Sequence, residues 1–166
     1  MTAPRIGHGI DAHRLAPGRP LWLGGVRVPY ERGLEGHSDG DALLHAVASA
    51  LLGALGDGDL GTHFPSSDPA WAGAASGTLV ARVLERVRAR GLVVANLDAT
   101  VIAEQPRLAP LRAAMVESIA KLLGVPLERV NVKLTSPDGL GAIGRADGIA
   151  AQAVVLLVEA ADAGGG

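Results

Sequence analysis

The sequence has no cysteine and very few aromatic residues. Disulfides, thiolate nucleophiles and cysteine-ligated zinc sites are therefore excluded. Aromatic side chains make up only 2% of the residues, whereas hydrophobic residues make up 48%. The core must therefore be built mainly from Ala, Val, Leu and Ile, and such small side chains favour close packing of helices against a sheet.

The sequence also lacks any basic run or long apolar run. The formal net charge is −2 at pH 7, which argues against nucleic-acid binding as the main task. No apolar stretch reaches the roughly 18 residues of a membrane span, and the N-terminus does not resemble a signal peptide. We therefore expect a cytoplasmic protein that does not bind membranes. The length predicts a single domain over 1–162, followed by a frayed Gly-rich end at 163–166.

Hydrophobic periodicity and turn residues predict an α+β fold. Strands are predicted at 5–14, at two short segments about a Gly-Gly turn within 21–29, and at 92–104 and 130–135. The apolar segment 149–160 could be a helix or a strand, and an inner strand is favoured. Helices are predicted up to about residue 56, from 76 to about 90 with Ser76 as a suitable N-cap, and over 110–123. The order β-β-β-α-α-β-α-β-β predicts a mixed β-sheet with helices packed on one face.

The stretch 37–45, HSDGDALLH, concentrates histidines and carboxylates at the start of the first predicted helix. Ser38 is a suitable N-cap, and Asp41 three residues later completes a pattern like a capping box. Asp39 also suits the positive end of the helix dipole. His37 would then lie where unpaired N–H groups bind anions. His45 lies one turn into the helix, where a structural core histidine is the simplest interpretation.

A second cluster upstream favours a metal site. The period of two in the first strand places Asp11 and His13 on the same face, where they are either a solvated surface or half of a metal site. If His45 joins them, two imidazoles and one carboxylate would leave open positions on a metal, which is typical of catalysis. Zinc suits these ligands, although iron in a facial triad would also do so.

The stretch 139–144, GLGAIG, matches the dinucleotide-binding pattern G-x-G-x-x-G literally. That interpretation requires a helix and then a further strand ending in an acidic residue, and too little chain remains for both. A glycine-rich turn that lets the backbone approach a ligand or a neighbouring subunit closely is favoured instead. Arg145, directly after it, could contact phosphate.

Several motifs together resemble a known family. They are RIGHGIDAH at 5–13, LGGVRVPY at 23–30, HSDGDALLH at 37–45, DLG at 59–61, FP at 64–65, DP at 68–69, AEQP at 103–106, and GR and GI at 144–145 and 148–149. In this order and spacing they closely resemble the 2-C-methyl-D-erythritol 2,4-cyclodiphosphate synthase family of non-mevalonate isoprenoid biosynthesis.

The resemblance implies a homotrimer with active sites between neighbouring subunits. It implies zinc on Asp11, His13 and His45, and Mg²⁺ or Mn²⁺ held with the substrate diphosphate by Asp138. The 2-phosphate of 4-diphosphocytidyl-2-C-methyl-D-erythritol 2-phosphate would attack the β-phosphorus and release CMP. His37 and Ser136 would stabilise the transition state by hydrogen bonds to phosphate oxygens.

The resemblance also implies the substrate-binding residues, part of which the neighbouring subunit would supply. The first group is Asp11, His13, His37, Ser38, Asp59, Gly61, Phe64 and Asp68. The cytidine diphosphate would be held by Ala103, Pro106, Arg107, Leu108, Ala109, Leu134, Thr135 and Ser136 of the neighbouring subunit. The remaining residues are Asp138, Ala142 and Arg145.

The chain departs from the family pattern at positions near the implied site. Asp138 replaces a usual Glu, and Ala142 stands where a Phe often lines a cavity on the trimer axis. Further departures are Leu134-Thr135-Ser136 for Ala-Thr-Thr, and Ser66, Ala72, Ala75 and Asp147.

Two other functions remain open: a phosphohydrolase that uses zinc-bound water on a nucleotide, and a nucleotide-binding module stabilised by a metal.

Overall fold

The computed structural model describes residues 3–161, which form a mixed sheet with helices. The strands are β1 (Arg5–Pro17), β2 (Leu21–Leu23), β3 (Val26–Val28), β4 (Arg32–Leu34), β5 (Leu92–Ile102), β6 (Val130–Thr135) and β7 (Gly148–Glu159). The helices are α1 (Ala42–Leu55), α2 (Leu60–His63), α3 (Ser76–Ala89), α4 (Arg112–Leu123) and α5 (Gly141–Gly144). Short 3₁₀ turns span Pro69–Trp71, Ala109–Leu111 and Leu127–Arg129.

Five strands pair in the order β4-β1-β7-β5-β6, and β2 pairs with β3 separately. The β5–β6 pair is parallel and the other pairs are antiparallel, which confirms the predicted mixed sheet. The expected inner strand near the C-terminus is confirmed as β7, between β1 and β5. The short elements β4, α2 and α5 were not predicted, because three or four residues carry too little periodicity. The segment 163–166 lies outside the described residues.

Helix α1 packs directly on β1 because two glycines face it. A Cβ atom on Gly7 would lie 1.8 Å from the carbonyl oxygen of Ala50, and one on Gly9 would lie 2.0 Å from that of Ala46. Without side chains at these two positions the helix can approach the strand backbone closely. Because β1 covers one side of α1 and α3 covers another, nearly all of α1 is buried.

Strand β5 does not keep the strict alternation predicted for it. Leu92 and Val94 are buried before an irregularity in the pairing with β7, and Leu97 and Ala99 are buried after it. A bulge inserts an extra residue and switches which alternate positions face the core.

Two predicted helix caps are wrong. Asp41, not Ser38, is the N-cap of α1, and its Oδ1 accepts hydrogen bonds from the N–H groups of Leu44 (3.0 Å) and Gly24 (2.9 Å). Neither Asp39 nor Asp41, the acidic residues predicted at the helix start, lies within the first turn of α1. Ser76 is the first residue of α3 rather than its cap. Both serine side chains are thereby free for the interactions described below.

The sheet face opposite α1 carries exposed apolar side chains. Ile6 is 71% exposed, Ile10 is 60% exposed, and Val154 on the paired strand β7 is 44% exposed. Among the described residues, no helix has the length and hydropathy needed to cross a membrane.

Candidate metal centre

Strand β1 and helix α1 bring the three predicted metal ligands together. Asp11 Oδ2 lies 2.7 Å from His13 Nε2 and 3.0 Å from His45 Nδ1, and the two imidazole nitrogens are 3.1 Å apart. The three ligand atoms all lie within 4.8 Å of one another. The strand supplies two ligands through its two-residue period, and the helix adds the third because it lies so close to the glycines of the same strand face.

The second nitrogen of each histidine is held by the protein. His13 is hydrogen-bonded to the backbone carbonyl of Glu35. His45 Nε2 lies 2.9 Å from Ser38 Oγ and 2.9 Å from Ser76 Oγ. Such partners fix the tautomer and orientation of imidazole ligands in metal sites. The donor set and its support therefore fit a metal with two imidazoles, one carboxylate and open positions.

The electrostatics of the cluster keep its carboxylate ionised. Burial acts to raise the pKa of Asp11, but hydrogen bonds and charge from His13 and His45 outweigh it and hold that pKa well below its usual range. The hydrogen bond to Asp11 is the main cause that raises the pKa of His13. The ionised carboxylate stabilises positive charge on the neighbouring imidazole, as it would stabilise a bound cation.

His37, the predicted transition-state stabiliser, lies on the exposed surface of the loop before α1. Its carbonyl oxygen accepts a hydrogen bond from the N–H of Gly73 (2.8 Å), and the N–H of Asp39 donates to the carbonyl of Ala74 (3.2 Å). The imidazole itself is left on the open side of the loop. The polar segment before α3, residues 57–75, is thus hydrogen-bonded directly to the loop that carries His37.

The predicted substrate-binding residues of that polar segment lie on α2 and the following turns. Asp59 caps α2 through Thr62 N–H (2.9 Å), and hydrogen bonds from Thr62 lower the pKa of Asp59. Asp68 caps the turn Pro69–Trp71 through the N–H of Ala70 (2.9 Å). Gly61 is exposed on the same short helix.

The ring of Phe64 packs edge-on against Trp71, with centroids 4.8 Å apart. It is half-buried and rests against the core. This contact gives the polar segment an apolar anchor on the body of the protein.

The residues predicted to hold cytidine diphosphate surround one cavity of about 260 Å³. It is lined by Val101, Ala103, Glu104, Gln105, Pro106, Arg107, Leu108, Ala109, Leu134, Thr135 and Ser136. The hydroxyl of Ser136 donates to Glu104 Oε2 at 2.7 Å. None of these described residues belongs to the metal cluster.

Asp138, the predicted magnesium ligand, is exposed and has a positive φ of 52°. Its N–H donates to Ser136 Oγ at 3.0 Å, which places Asp138 beside the 260 Å³ cavity that Ser136 lines. Ala142 and Arg145 line another cavity, of about 340 Å³, together with His13. The glycine-rich stretch forms the four-residue helix α5 and then joins β7, so it is not a dinucleotide-binding turn.

Three polar residues at these sites had been given other roles or none. Asp39 and Ser76 were interpreted only as helix-start residues, and Glu104 only as part of a motif. Asp39 Oδ2 accepts from the N–H of Ser76 (2.9 Å), and its Oδ1 accepts from the Ser76 hydroxyl. Sequence offers no signal for such contacts because the partners lie 37 residues apart.

Comparison with known proteins identifies close relatives over almost the whole chain. The model of the YgbB family matches residues 4–158. A 2-C-methyl-D-erythritol 2,4-cyclodiphosphate synthase of Trichlorobacter lovleyi is 54% identical over 154 residues, covering 93% of this chain and 98% of that protein. One from Geobacillus sp. is 56% identical over 153 residues, covering 92% of this chain and 97% of that protein.

Solved structures show the same fold. The bifunctional IspDF of Campylobacter jejuni superposes with a TM-score of 0.91 at 38% identity, over 95% of this chain and 43% of that one. A 2-C-methyl-D-erythritol-2,4-cyclodiphosphate synthase in a CDP-bound form has a TM-score of 0.86 at 40% identity, over 93% of this chain and all of that one.

Proposed function

The chain belongs to the YgbB family of 2-C-methyl-D-erythritol 2,4-cyclodiphosphate synthases, and we propose that it is a cytoplasmic enzyme of isoprenoid biosynthesis with that activity. It converts 4-diphosphocytidyl-2-C-methyl-D-erythritol 2-phosphate into 2-C-methyl-D-erythritol 2,4-cyclodiphosphate and CMP. The observation that carries this proposal is the convergence of Asp11, His13 and His45 on one point, with the exposed His37 next in sequence to Ser38, whose Oγ contacts His45. Relatives named for the reaction match over nearly the full chain.

Asp11, His13 and His45 would hold zinc through one carboxylate oxygen and two imidazole nitrogens. Bound there, zinc supplies a Lewis acid and template for a phosphate oxygen. Each ligand is preset by this chain: the carboxylate is ionised, and both imidazoles have their second nitrogen engaged. Little reorganisation is then required when the metal binds.

The reaction requires alignment more than covalent chemistry from the protein. An oxygen of the 2-phosphate forms a bond to the β-phosphorus while the bond from that phosphorus to the CMP oxygen breaks. Positioning and charge neutralisation supply most of the rate in phosphoryl transfer. His37 and Ser136 would donate hydrogen bonds to phosphate oxygens whose charge increases in the transition state. No nucleophilic side chain is needed.

The cytidine end of the substrate would occupy the 260 Å³ cavity of a neighbouring subunit. Two observations support a shared site. The metal cluster and this cavity have no described residue in common, and the exposed face of the sheet presents Ile6, Ile10 and Val154. A homotrimer would cover this apolar face. A related synthase was solved in a CDP-bound form, which supports a cytidine diphosphate subsite in this family.

Asp138 would hold a magnesium or manganese ion between the substrate phosphates. Its side chain is one methylene shorter than the Glu usual in the family. The positive φ of Asp138 and the hydrogen bond from its N–H to Ser136 Oγ fix the position of its backbone. Mg²⁺ keeps several waters, so a water can bridge a short carboxylate to the ion.

Product analysis in ¹⁸O-labelled water tests the reaction. Internal attack forms the cyclic diphosphate and CMP without placing ¹⁸O in either product, which ³¹P NMR and mass spectrometry both detect. A hydrolase that uses metal-bound water would instead put one ¹⁸O into an open-chain product and would overturn the proposal. His45→Ala serves as the inactive control. Unfolding on zinc chelation would favour the metal-stabilised binding module, whereas we expect the stripped protein to keep its circular dichroism spectrum.

A further inference from the structure

The hydrogen-bond partner of the proposed metal ligand His45 is itself held by a further residue. Ser76 is fully buried at the start of α3, and its Oγ lies 2.9 Å from His45 Nε2. The same Oγ donates a hydrogen bond to Asp39 Oδ1. A continuous series of contacts therefore joins the Asp39 carboxylate, the Ser76 hydroxyl and the back of the His45 ring.

The direction of these hydrogen bonds follows from what each group can donate. An ionised carboxylate only accepts, so the single hydroxyl proton of Ser76 is committed to Asp39. Towards His45, the Ser76 oxygen can then only accept. His45 Nε2 must therefore carry a ring proton, and Nδ1, which lies 3.0 Å from Asp11 Oδ2, is the nitrogen left to bind a metal. A neutral ring with its only proton on Nδ1 would block the metal.

We infer that Asp39 and Ser76 form a positioning pair that holds His45 in the tautomer and orientation needed to bind the catalytic metal. This inference rests on the proposed function, and it adds residues that touch neither metal nor substrate. Ser38 Oγ, also 2.9 Å from His45 Nε2, provides a second acceptor, but among residues 3–161 no carboxylate contact orients its proton. The specific contribution of the pair is thus the carboxylate behind the hydroxyl.

Asp39 also has a structural role, and the experiment must separate that role from the positioning of His45. Its Oδ2 accepts from the backbone N–H of Ser76, and its Oδ1 accepts from the N–H of Asp41 at 3.1 Å. Ser76→Ala removes only the hydroxyl and keeps the backbone bond to Asp39. Asp39→Asn keeps the size of the side chain and removes the charge that commits the hydroxyl proton. Thr78→Ala removes an exposed hydroxyl from the same helix turn and is the matched control.

The test compares zinc affinity, measured by chelator competition, in the parent and the three variants. We expect Ser76→Ala and Asp39→Asn to weaken zinc binding by about tenfold to a hundredfold, the usual effect of removing outer partners of a metal ligand. The visible absorption spectrum of the Co²⁺-loaded protein should shift in both variants, because the imidazole ligand is held differently. Thr78→Ala should match the parent in both measurements.

A merely structural role would lower the melting temperature of the stripped variants and leave zinc affinity and the Co²⁺ spectrum unchanged, which would overturn the inference. The outcome is separable from that of the proposed function. A parent that binds zinc more tightly than both variants but forms no cyclic product would refute the function and retain the positioning pair. A parent that forms the cyclic product and binds zinc no more tightly than Ser76→Ala and Asp39→Asn would support the function and refute the positioning pair.

Discussion

Gly9 on β1 lies directly against Ala46 on α1, at a distance that leaves no room for a side chain. A Cβ atom on Gly9 would lie 2.0 Å from the carbonyl oxygen of Ala46 and 2.6 Å from the N–H nitrogen of Ala50. Gly9 shares its strand face with Asp11, two residues along. The same close approach of helix to strand that excludes a side chain here brings His45 within reach of Asp11.

Gly9→Ala should therefore separate the helix from the strand. Since the atoms that block the new methyl group belong to backbone, we expect a loss of at least about 1–3 kcal/mol in the free energy of unfolding, and weaker zinc binding. Urea denaturation and metal analysis measure the two effects. Gly53→Ala is the matched control, because its Cβ would make only an ordinary 3.5 Å contact with His8. Removing a helical glycine should leave stability equal or raise it by about 0.5–1 kcal/mol.

Substitution of each metal ligand should abolish bound metal while leaving the fold. Asp11→Ala, His13→Ala and His45→Ala each remove one of three converging donors, and none of the three is a large apolar core residue. We expect loss of zinc by elemental analysis, loss of CMP release, and an unchanged far-ultraviolet spectrum. Full zinc occupancy in the His45 variant would refute the assignment.

A charge on the open sheet face should prevent assembly. Ile10→Lys places an ammonium on the apolar face that the proposed trimer covers, so light scattering should report a monomer and CMP release should fall. The zinc ligands lie on the opposite strand face, so zinc should remain bound. Leu127→Lys, at an apolar site that is 53% exposed on a 3₁₀ turn, should stay trimeric. A parent that is monomeric at micromolar concentrations would refute the shared site.

The magnesium requirement should depend on Asp138. Asp138→Asn removes a charge from the proposed ligand, so a higher magnesium concentration should be needed for half-maximal rate, with unchanged zinc content. Asp138→Glu restores the family's usual length and should retain the parent's requirement. Initial rates against magnesium concentration, with saturating zinc, compare the three proteins. Identical curves for the parent and the Asn variant would show that Asp138 is not the ligand.

Acid should remove the contribution of Asp57 to stability. The Arg86 guanidinium, 2.6 Å from Asp57 Oδ2, holds the pKa of Asp57 below its ordinary value of 3.8. A carboxyl whose pKa is lowered by folding stabilises the fold above its unfolded pKa, and this stabilisation is lost as pH falls through the folded value. Asp57→Asn should therefore melt below the parent at pH 7, and the difference should disappear well below pH 3.8. A difference that persists undiminished in acid would show that the ion pair is not its cause.

The sequence by itself determined the α+β class, the long strands and helices, and the identity of the metal-ligand candidates. Strand periodicity alone put Asp11 and His13 on one face, because successive side chains alternate. The histidine one turn into the first predicted helix supplied His45 as the third candidate, and the family motifs supplied the residues around the 260 Å³ cavity. These features depend on local chain geometry or on residue identity, and both are visible in the printed sequence.

Only the tertiary structure decided which face of β1 is buried and what stands behind His45. Ile6 and Ile10 are exposed, whereas glycines occupy the face of β1 against α1, because the helix needs the space of their missing side chains. Ser38 and Ser76 were interpreted as caps by local preference, but both turn to the His45 ring. Local preference cannot anticipate a partner on another element, since the energy of such contacts arises from packing between distant segments.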